Sequence, residues 1–331
     1  MAYRDVGQDD QPAVDSRSVL FICFGRTAGS KEDGGDIYDR KTLAALRRHG
    51  LNVEAVEVER QRHVGLPMWA TPVPPAVRAR IASAHHNGRQ IICSHEALFS
   101  AVKGISASVL IVHNYFPAFS FPGRRLLECY YRTGARGHFS EHFRGAGNVV
   151  FLSARDYRRA VEDFPGISSK SQILPPPPFM APLLERRLDL VHISGSEDWL
   201  PKRLSRLSAS ERAAIHDHGL VICDFGSEIN PAFGLINDRF VVGFKLKLMQ
   251  MIYSRDVIAS LSDVSEDLHS VADNYPFFKQ VGSIREALDY FGAITRRYSA
   301  KELEHHFEST HCEWNMFSWD NMASRLASLL R

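Results

Sequence analysis

The chain has 331 residues, of which 44% are hydrophobic and 24% charged, and its formal net charge is +2. This composition is typical of a soluble globular protein, and the length is sufficient for two domains of ordinary size. A charge so close to zero, without a dense block of Lys or Arg, argues against a nucleic-acid-binding protein. No apolar run approaches the roughly 20 residues that a membrane-spanning helix requires.

The cysteines and the N-terminal residues point to a reducing compartment. The five cysteines are scattered without CxxC spacing, and four of them lie in apolar surroundings. Such cysteines usually pack as small hydrophobic side chains. Residues 1–17 are polar and acidic, which predicts a disordered tail and no signal peptide. We therefore expect a cytoplasmic protein.

The first half of the sequence alternates between predicted strands and predicted helices. The continuous apolar run at 18–24 is typical of a central strand in a parallel sheet. A glycine-containing loop follows this strand. The loop could close over a bound sugar, or it could be a solvent loop without a functional role. The remaining elements are expected as helices at 37–49, 77–86 and 155–163 and as strands at 52–58, 90–93, 109–113 and 149–152. This order predicts a nucleotide-fold domain, although its glycines do not match GxGxxG.

A run of four prolines, Pro175 to Pro178, marks a domain boundary. Consecutive prolines form a stiff, extended connector. The boundary divides the chain into residues 18–174, a connector at 175–187 and residues 188–331. In the second part we expect strands at 188–193, 220–225, 257–259 and 277–281, and helices around 201–216, at 284–298 and over most of 300–330. The chain therefore predicts two α/β domains in sequence.

The segment 239–260 combines a glycine-led helix with a short strand. Gly243 begins the helix, and Lys245 and Lys247 lie in its first turns. The free N–H groups and positive dipole end of such a helix can hold a phosphate. Lys247 and Gln250, three residues apart on one helix face, could hydrogen-bond a diphosphate, ribose or base. The alternative is a core helix whose lysines merely reach water.

The stretch 63–76 is apolar but interrupted by prolines, which predicts a loop. Met68 and Trp69 in this loop could contact a lipid surface or a hydrophobic acceptor, or could pack in the core. Arginines that could add attraction to anionic lipid lie nearby at Arg60, Arg62, Arg78 and Arg80.

Four segments, taken in order, resemble parts of one enzyme group. GGDIYDRKTLAALRRHG is similar to the first loop and helix of family 4-like GT-B glycosyltransferases. VVFLSARDYRRAV and ILPPPPF resemble the end of their acceptor domain, and FSWDNMASRLASLL resembles their closing helix. The resemblance covers most of residues 18–331. It implies an α/β fold of two Rossmann-like domains facing across a cleft, with the acceptor bound by 18–174, the nucleotide sugar by 188–331 and a last helix that crosses back.

One departure from this group bears on mechanism. Retaining members carry two glutamates with seven residues between them, and Val241 and Met249 occupy those places. The run LKLMQ at 246–250 instead resembles that of the xanthan glucuronosyltransferase, an inverting enzyme in which the lysine and glutamine contact the nucleotide. This resemblance assigns nucleotide contact to Lys247 and Gln250 and favours an inverting mechanism.

The candidate site residues fall into two sets. The nucleotide-sugar site is expected to include Gly195, Ser196, Lys202, Gly243, Lys245, Lys247 and Gln250. The base that deprotonates the acceptor is sought near strand ends of the first domain, at Asp156, His113, Asp36 or Asp33. Asp36 could instead cap its helix, and His113 could be structural. Because the second half has no suitable DxD pair, we expect no catalytic metal and no cofactor besides the donor substrate.

Together these features predict a glycosyltransferase of hexosyl or glucuronosyl type with a UDP-linked donor. The expected acceptor is a saccharide or lipid-linked sugar in bacterial surface polysaccharide synthesis, with peripheral contact at the inner face of the membrane. A nucleotide-sugar 2-epimerase is one alternative. A degenerate GT-B domain that binds without turnover is the other.

Overall fold

The structure is a computed structural model that describes residues 18–25, 34–59, 71–119, 123–178, 186–194, 207–223, 230–239, 246–272, 274–308 and 318–330. The predicted N-terminal tail and the loop with Met68 and Trp69 lie outside the described residues.

The first domain is built on a parallel sheet. In chain order its elements are β1 (Ser18–Gly25), α1 (Gly34–Arg48), β2 (Asn52–Glu59), α2 (Pro75–His86), β3 (Gln90–Ser94), β4 (Val109–Val112), α3 (Arg125–Gly134), α4 (Arg136–Gly145), β5 (Asn148–Phe151), α5 (Ala154–Asp163) and β6 (Ser171–Ile173). Short 3-10 helices lie at Glu96–Val102, Phe116–Ala118 and Pro165–Lys170. The strands are ordered β2-β1-β3-β4-β5-β6, and every pair is parallel.

Strand β1 is an interior strand, second in the order of six and next to the edge strand β2, and its apolar sequence is continuous. Leu20 and Ile22 point into the core on one side of the sheet, whereas Val19 and Phe21 point into the core on the other. All four side chains are fully buried. A strand that is covered on both faces needs apolar residues at every position, and β1 supplies them.

The second domain repeats the architecture. Its elements are β7 (Arg186–Ser194), α6 (Ala209–Asp217), β8 (Val221–Cys223), β9 (Asn230–Ile236), α7 (Leu246–Tyr253), β10 (Val257–Ser260), α8 (Ser265–Val271), β11 (Phe278–Gln280), α9 (Ile284–Arg297), α10 (Ala300–Glu308) and α11 (Trp319–Ser328). The strands are ordered β11-β10-β9-β7-β8 and are all parallel.

Strand β9 lies in the middle of this sheet, although the sequence did not predict it. Pro231 and Gly234 interrupt its apolar pattern, and both residues are unfavourable in strand interiors. Gly234 lies against the Met251 side chain of α7. A Cβ at this position would lie 2.7 Å from the Met251 sulfur, so the missing side chain lets α7 approach the sheet closely.

Both sheets have the same topological switch. In each sheet, the first strand in chain order lies between the second and the third. The direction in which strands are added across the sheet therefore reverses between β1 and β3, and again between β7 and β9. Ligands of open α/β sheets bind at the carboxyl ends of the strands beside such a point. The predicted fold class, two Rossmann-like α/β domains, is confirmed.

The last helix returns to the first domain. Met322 and Leu326 of α11 join the core cluster that contains Val19 and Phe21. Asn148 Nδ2 donates to the Leu329 carbonyl at 2.9 Å. The Trp319 indole donates to the carbonyl of Pro178 in the proline connector at 3.0 Å.

Two helices of the first domain were not predicted. Helices α3 and α4 are only ten residues long each, and Gly134 and Gly137 lie where they meet, so each helix shows its apolar residues over only about two turns. In the described part of the chain, no helix is both long and apolar enough to cross a membrane. Cys23 and Cys93 are buried, whereas Cys129 on α3 is exposed.

Candidate active site

Three buried polar side chains meet at the carboxyl edge of the first sheet. Ser94 is the last residue of β3, His113 directly follows β4, and Asp39 lies on α1. The Ser94 hydroxyl donates to Asp39 Oδ1, and Ser94 Oγ lies 3.1 Å from His113 Nε2. His113 Nε2 lies 3.8 Å from Asp39 Oδ1. We call these residues the Asp39–Ser94–His113 set.

The hydrogen bonds of this set define the tautomer of His113. Ser94 gives its only proton to Asp39, so its oxygen can only accept from His113. His113 Nε2 therefore carries a proton, and Nδ1 is the basic nitrogen of the neutral ring. A carboxylate that orients a histidine through a hydroxyl also stabilises the imidazolium formed when that histidine takes a proton.

A buried glutamate fixes the backbone that carries His113. Glu96 Oε2 accepts from the backbone N–H groups of His113 at 3.0 Å and Asn114 at 3.1 Å, and Oε1 accepts from the Asn114 amide at 3.0 Å. Burial raises the pKa of Glu96, while the neighbouring His113 and the hydrogen bonds act in the opposite direction. The turn after β4 is thus held by the 3-10 helix after β3.

His95 completes this edge of the sheet and was missed by sequence reasoning. It follows β3 directly with φ of 88°, a backbone conformation that non-glycine residues rarely adopt and that often marks a functional site. Its ring lies 5.0 Å from that of His113 and 4.9 Å from that of Phe24, and 17% of its side chain is exposed. His113 was selected because it lies at the end of a predicted strand, and the same criterion applied to β3 would have selected His95.

The other two base candidates that the structure describes, Asp36 and Asp156, occupy different surroundings. Asp36 lies half-buried in the first turn of α1. Asp156 lies in the first turn of α5, with 1% of its surface exposed, and its Oδ2 accepts from the Tyr115 N–H at 2.8 Å. Burial raises the pKa of Asp156 to about 8, against the opposing effects of Tyr115 and Arg155. The roles of Asp36, His113 and Asp156 in a reaction stay predictions.

The raised pKa of Asp156 predicts a pH-dependent stability. Between pH 4 and pH 8 the folded chain holds a proton that the unfolded chain has lost, so stability falls as the pH rises through this window. The free energy of unfolding of the wild type minus that of Asp156→Asn should therefore decrease from pH 5 to pH 8, by at most about 1.4 kcal/mol per pH unit. Chemical denaturation at both values measures it.

The control is Asp289→Asn, which changes an exposed carboxylate on α9 and should show a constant difference from the wild type. A constant difference for Asp156→Asn as well would mean that Asp156 is ionised throughout this range.

A carboxylate of the second domain caps a helix of the first. Asp267 Oδ1, on α8, accepts from the Ser153 hydroxyl and the Ala154 N–H, each at 2.9 Å. Arg158 and Glu266 form an ion pair beside this contact. Burial raises the pKa of Asp267 to about 6, although its hydrogen bonds lower it. Because α5 follows β5 and α8 follows β10, the contact brings the carboxyl edges of the two sheets to face each other.

Helix α7 carries the described part of the predicted nucleotide site. Its Leu248, Met249, Met251 and Ile252 side chains are buried, which anchors the helix in the core. Lys247 is half-buried, whereas Gln250 is buried and donates to Ser254 Oγ at 3.1 Å. Gly195, Ser196, Lys202, Gly243 and Lys245, together with Asp33 of the first domain, lie outside the described residues. Nucleotide contact by Lys247 and Gln250 stays a prediction.

Further buried polar residues lie at the carboxyl edge of the second sheet. Asn237 and Asp238 follow β9 at the switch point, and Ser260 and Ser262 lie at the end of β10. The Ser260 hydroxyl donates to the Ser262 carbonyl at 2.6 Å. The sequence did not indicate Asn237 and Asp238, because their strand was not predicted.

Among the described residues, no group of three or more His, Cys, Asp and Glu side chains is arranged to hold a metal ion.

Solved structures show which known fold this arrangement matches. The pneumococcal O-GlcNAc transferase GtfA in complex with UDP and GlcNAc has a TM-score of 0.61 at 9% identity, over 96% of this chain and 99% of that one. Anabaena HepE in complex with UDP and glucose has a TM-score of 0.55 at 11% identity, over 95% and 99%. For the GtfA/B complex the TM-score is 0.45 at 13% identity, and the match covers 77% of this chain and 59% of that one.

No protein-family profile and no curated protein matches the sequence. The structural likeness to GtfA and HepE, together with the two facing parallel sheets, shows that the chain has the GT-B fold.

Proposed function

We propose that the chain is a glycosyltransferase that moves a sugar from a nucleotide sugar to an acceptor hydroxyl. The observation that carries this proposal is the apposition of the two carboxyl edges through Asp267 and Ser153. One edge bears the Asp39–Ser94–His113 set, a base with its orienting groups. The other bears the helix with Lys247 and the polar residues after β9. This arrangement supports a transfer site between the two edges.

In the proposed reaction, the acceptor hydroxyl attacks the anomeric carbon of the donor sugar. His113 takes the hydroxyl proton on Nδ1, while its Nε2–H remains bonded to Ser94. The bond between the anomeric carbon and the diphosphate oxygen breaks in the same step, which inverts the anomeric configuration. Asp39, bonded to Ser94, stabilises the positive charge that His113 gains.

The departing diphosphate needs positive charge in the second domain. Lys247 is the described cation on the candidate nucleotide helix, and it is half-buried, so it is partly shielded from water. A fixed cation in such a position stabilises a leaving group without a bound metal. The half-buried Lys247 and the missing DxD pair in the sequence support a metal-independent reaction.

We propose UDP as the nucleotide because UDP is bound in the GtfA and HepE structures, which share the fold. The acceptor is a saccharide or lipid-linked sugar of a bacterial surface polysaccharide, reached at the inner face of the membrane. The transferred group is a hexosyl or glucuronosyl unit.

A donor screen tests the proposal. Nucleotides and nucleotide sugars are added to the full chain, and thermal unfolding is followed. A ligand at 100 times its Kd stabilises the folded state by about 2.7 kcal/mol, so UDP or a UDP-sugar should raise Tm by several degrees. The donor so identified is then incubated with candidate acceptors, and UDP release is measured in EDTA and in Mg²⁺ or Mn²⁺.

Each result has one interpretation. UDP release that depends on an acceptor and persists in EDTA supports a metal-independent transferase. Loss of turnover in EDTA, restored by Mg²⁺ or Mn²⁺, contradicts the metal-independent step alone. Conversion of a UDP-sugar into its epimer without an acceptor identifies a 2-epimerase, and stabilisation without turnover of any donor identifies a binding module.

A further inference from the structure

We propose that the exposed face of α3 binds an anionic lipid surface. The face consists of Leu126, Cys129, Tyr130 and Thr133, with Arg125 and Arg132 along its edge and Arg124 before its first turn. The inference concerns a surface of the first domain outside the transfer site and does not rest on the proposed chemistry.

The apolar part of this face is unusually open to solvent. Leu126 is 89% exposed and Tyr130 is 48% exposed, and the two lie four residues apart on one side of the helix. A nearly bare leucine beside a half-exposed tyrosine suits the boundary between headgroups and acyl chains, where tyrosine is enriched and apolar side chains insert.

The helix is held by the side next to the exposed strip, because Leu127 and Tyr131 lie about 100° around the helix from Leu126 and Tyr130. Tyr131 is buried, and its ring packs 5.2 Å from that of Phe119 and 6.0 Å from that of Phe116. Leu127 also packs against the core. Leu126 and Tyr130 are therefore presented by a preformed helix, so insertion into a surface requires no folding of this element.

The charges around the face favour an anionic partner. Within the described part of the chain, the side chains of Arg124, Arg125 and Arg132 form no ion pair and no hydrogen bond. By contrast, Arg136 at the start of α4 pairs with Asp163. At 100° per residue, Arg125 and Arg132 lie within about 20° of each other on the helix. Glu128 is half-buried near them and engages another residue. Cationic side chains beside an exposed apolar strip are the pattern of helices that lie in the interface of anionic membranes.

The size of the patch argues for lipid over protein. A stable protein interface buries about 1,600 Å² in total, which two large apolar side chains on one ten-residue helix cannot supply. Contact with a bilayer is satisfied by a few inserted side chains and neighbouring basic groups, since each Lys or Arg near an anionic surface adds about fivefold to binding.

Vesicle sedimentation of the full chain tests the proposal. The chain should sediment with vesicles that contain phosphatidylglycerol and remain in solution with phosphatidylcholine alone, and added salt should weaken binding. Arg125→Glu/Arg132→Glu should lower partitioning by about 25-fold or more. Leu126→Ser should lower it about tenfold, and it removes no internal packing because Leu126 is almost fully exposed.

The matched control is Arg285→Glu/Arg296→Glu on α9, which makes the same change in net charge at two exposed positions of the second domain. It should bind nearly as the wild type does. Equal losses in the two double variants, wild-type binding by Leu126→Ser, or no binding by the wild type would each overturn the proposal. A dimer in solution that Leu126→Ser dissociates would do so too, because it would make this face an interface between copies.

The outcome is independent of the transfer reaction. Nucleotide-induced stabilisation, measured on the same α3 variants, should match that of the wild type, since α3 contributes nothing to the donor side. Failure of vesicle binding therefore leaves the proposed transferase intact, and failure of donor binding leaves the lipid surface intact.

Discussion

Replacing His113 with alanine should lower kcat/KM for sugar transfer by about 10²- to 10⁴-fold, the usual contribution of a general base. Because His113 is held by Ser94 and by the backbone bonds to Glu96, the ring is already positioned before substrate binds. Steady-state kinetics with the donor identified by the screen measure the loss. The loss should fall mainly on kcat, since proton transfer occurs in the transition state.

Two further variants make the His113 result decisive. His113→Asn keeps a polar group in the buried site and should be as inactive as His113→Ala while unfolding at nearly the wild-type temperature. His86→Ala removes an exposed histidine of α2 and should leave kinetics unchanged. A folded His113→Asn enzyme with an unchanged kcat but a raised KM would show that His113 binds a substrate and takes no proton.

The fold was predictable wherever local pattern and burial agree. The apolar residues of β1 identify a strand covered on both faces, and the prolines before β7 separate the two sheets. Strand β9 was not predicted because Gly234 interrupts its apolar pattern. This glycine lies against Met251 of a later helix, and the local sequence does not reveal that contact. Helix α3 was not predicted because its apolar residues occupy only about two turns before the helix ends at Gly134.

The candidate site was predictable from the sequence only where its residues directly follow predicted strands. His113 follows a clear strand, and the same rule applied to β3 would have indicated His95. Asp39 could not be found in this way, because its hydrogen bond to Ser94 spans 55 residues and depends on how α1 packs on the sheet. The bond from Ser153 to Asp267 spans 114 residues and depends on how the two domains meet.

The position of α7 explains why Lys247 is suited to bind a diphosphate. The helix leads from the carboxyl end of β9 back to β10, so its first turn lies at the edge that faces the first domain. Four buried apolar side chains and the close approach at Gly234 fix it there. A lysine in the first turn of such a helix adds its charge to the positive end of the helix dipole.

Lys247→Ala should therefore weaken UDP binding by about 1.5–3 kcal/mol, or roughly 10- to 150-fold in Kd, the usual value of a hydrogen bond to a charged group. Calorimetry measures the change, and the fold should survive because Lys247 is only half-buried, unlike its neighbours Leu248 and Met249. Lys247→Arg, which keeps the charge, should lose less UDP affinity, and Lys301→Ala on α10, at an exposed position, should lose none.

The difference in affinity between wild type and Lys247→Ala should be absent for uridine and should shrink in high salt, because it arises from the diphosphate. An unchanged UDP affinity in Lys247→Ala would remove α7 from the nucleotide site.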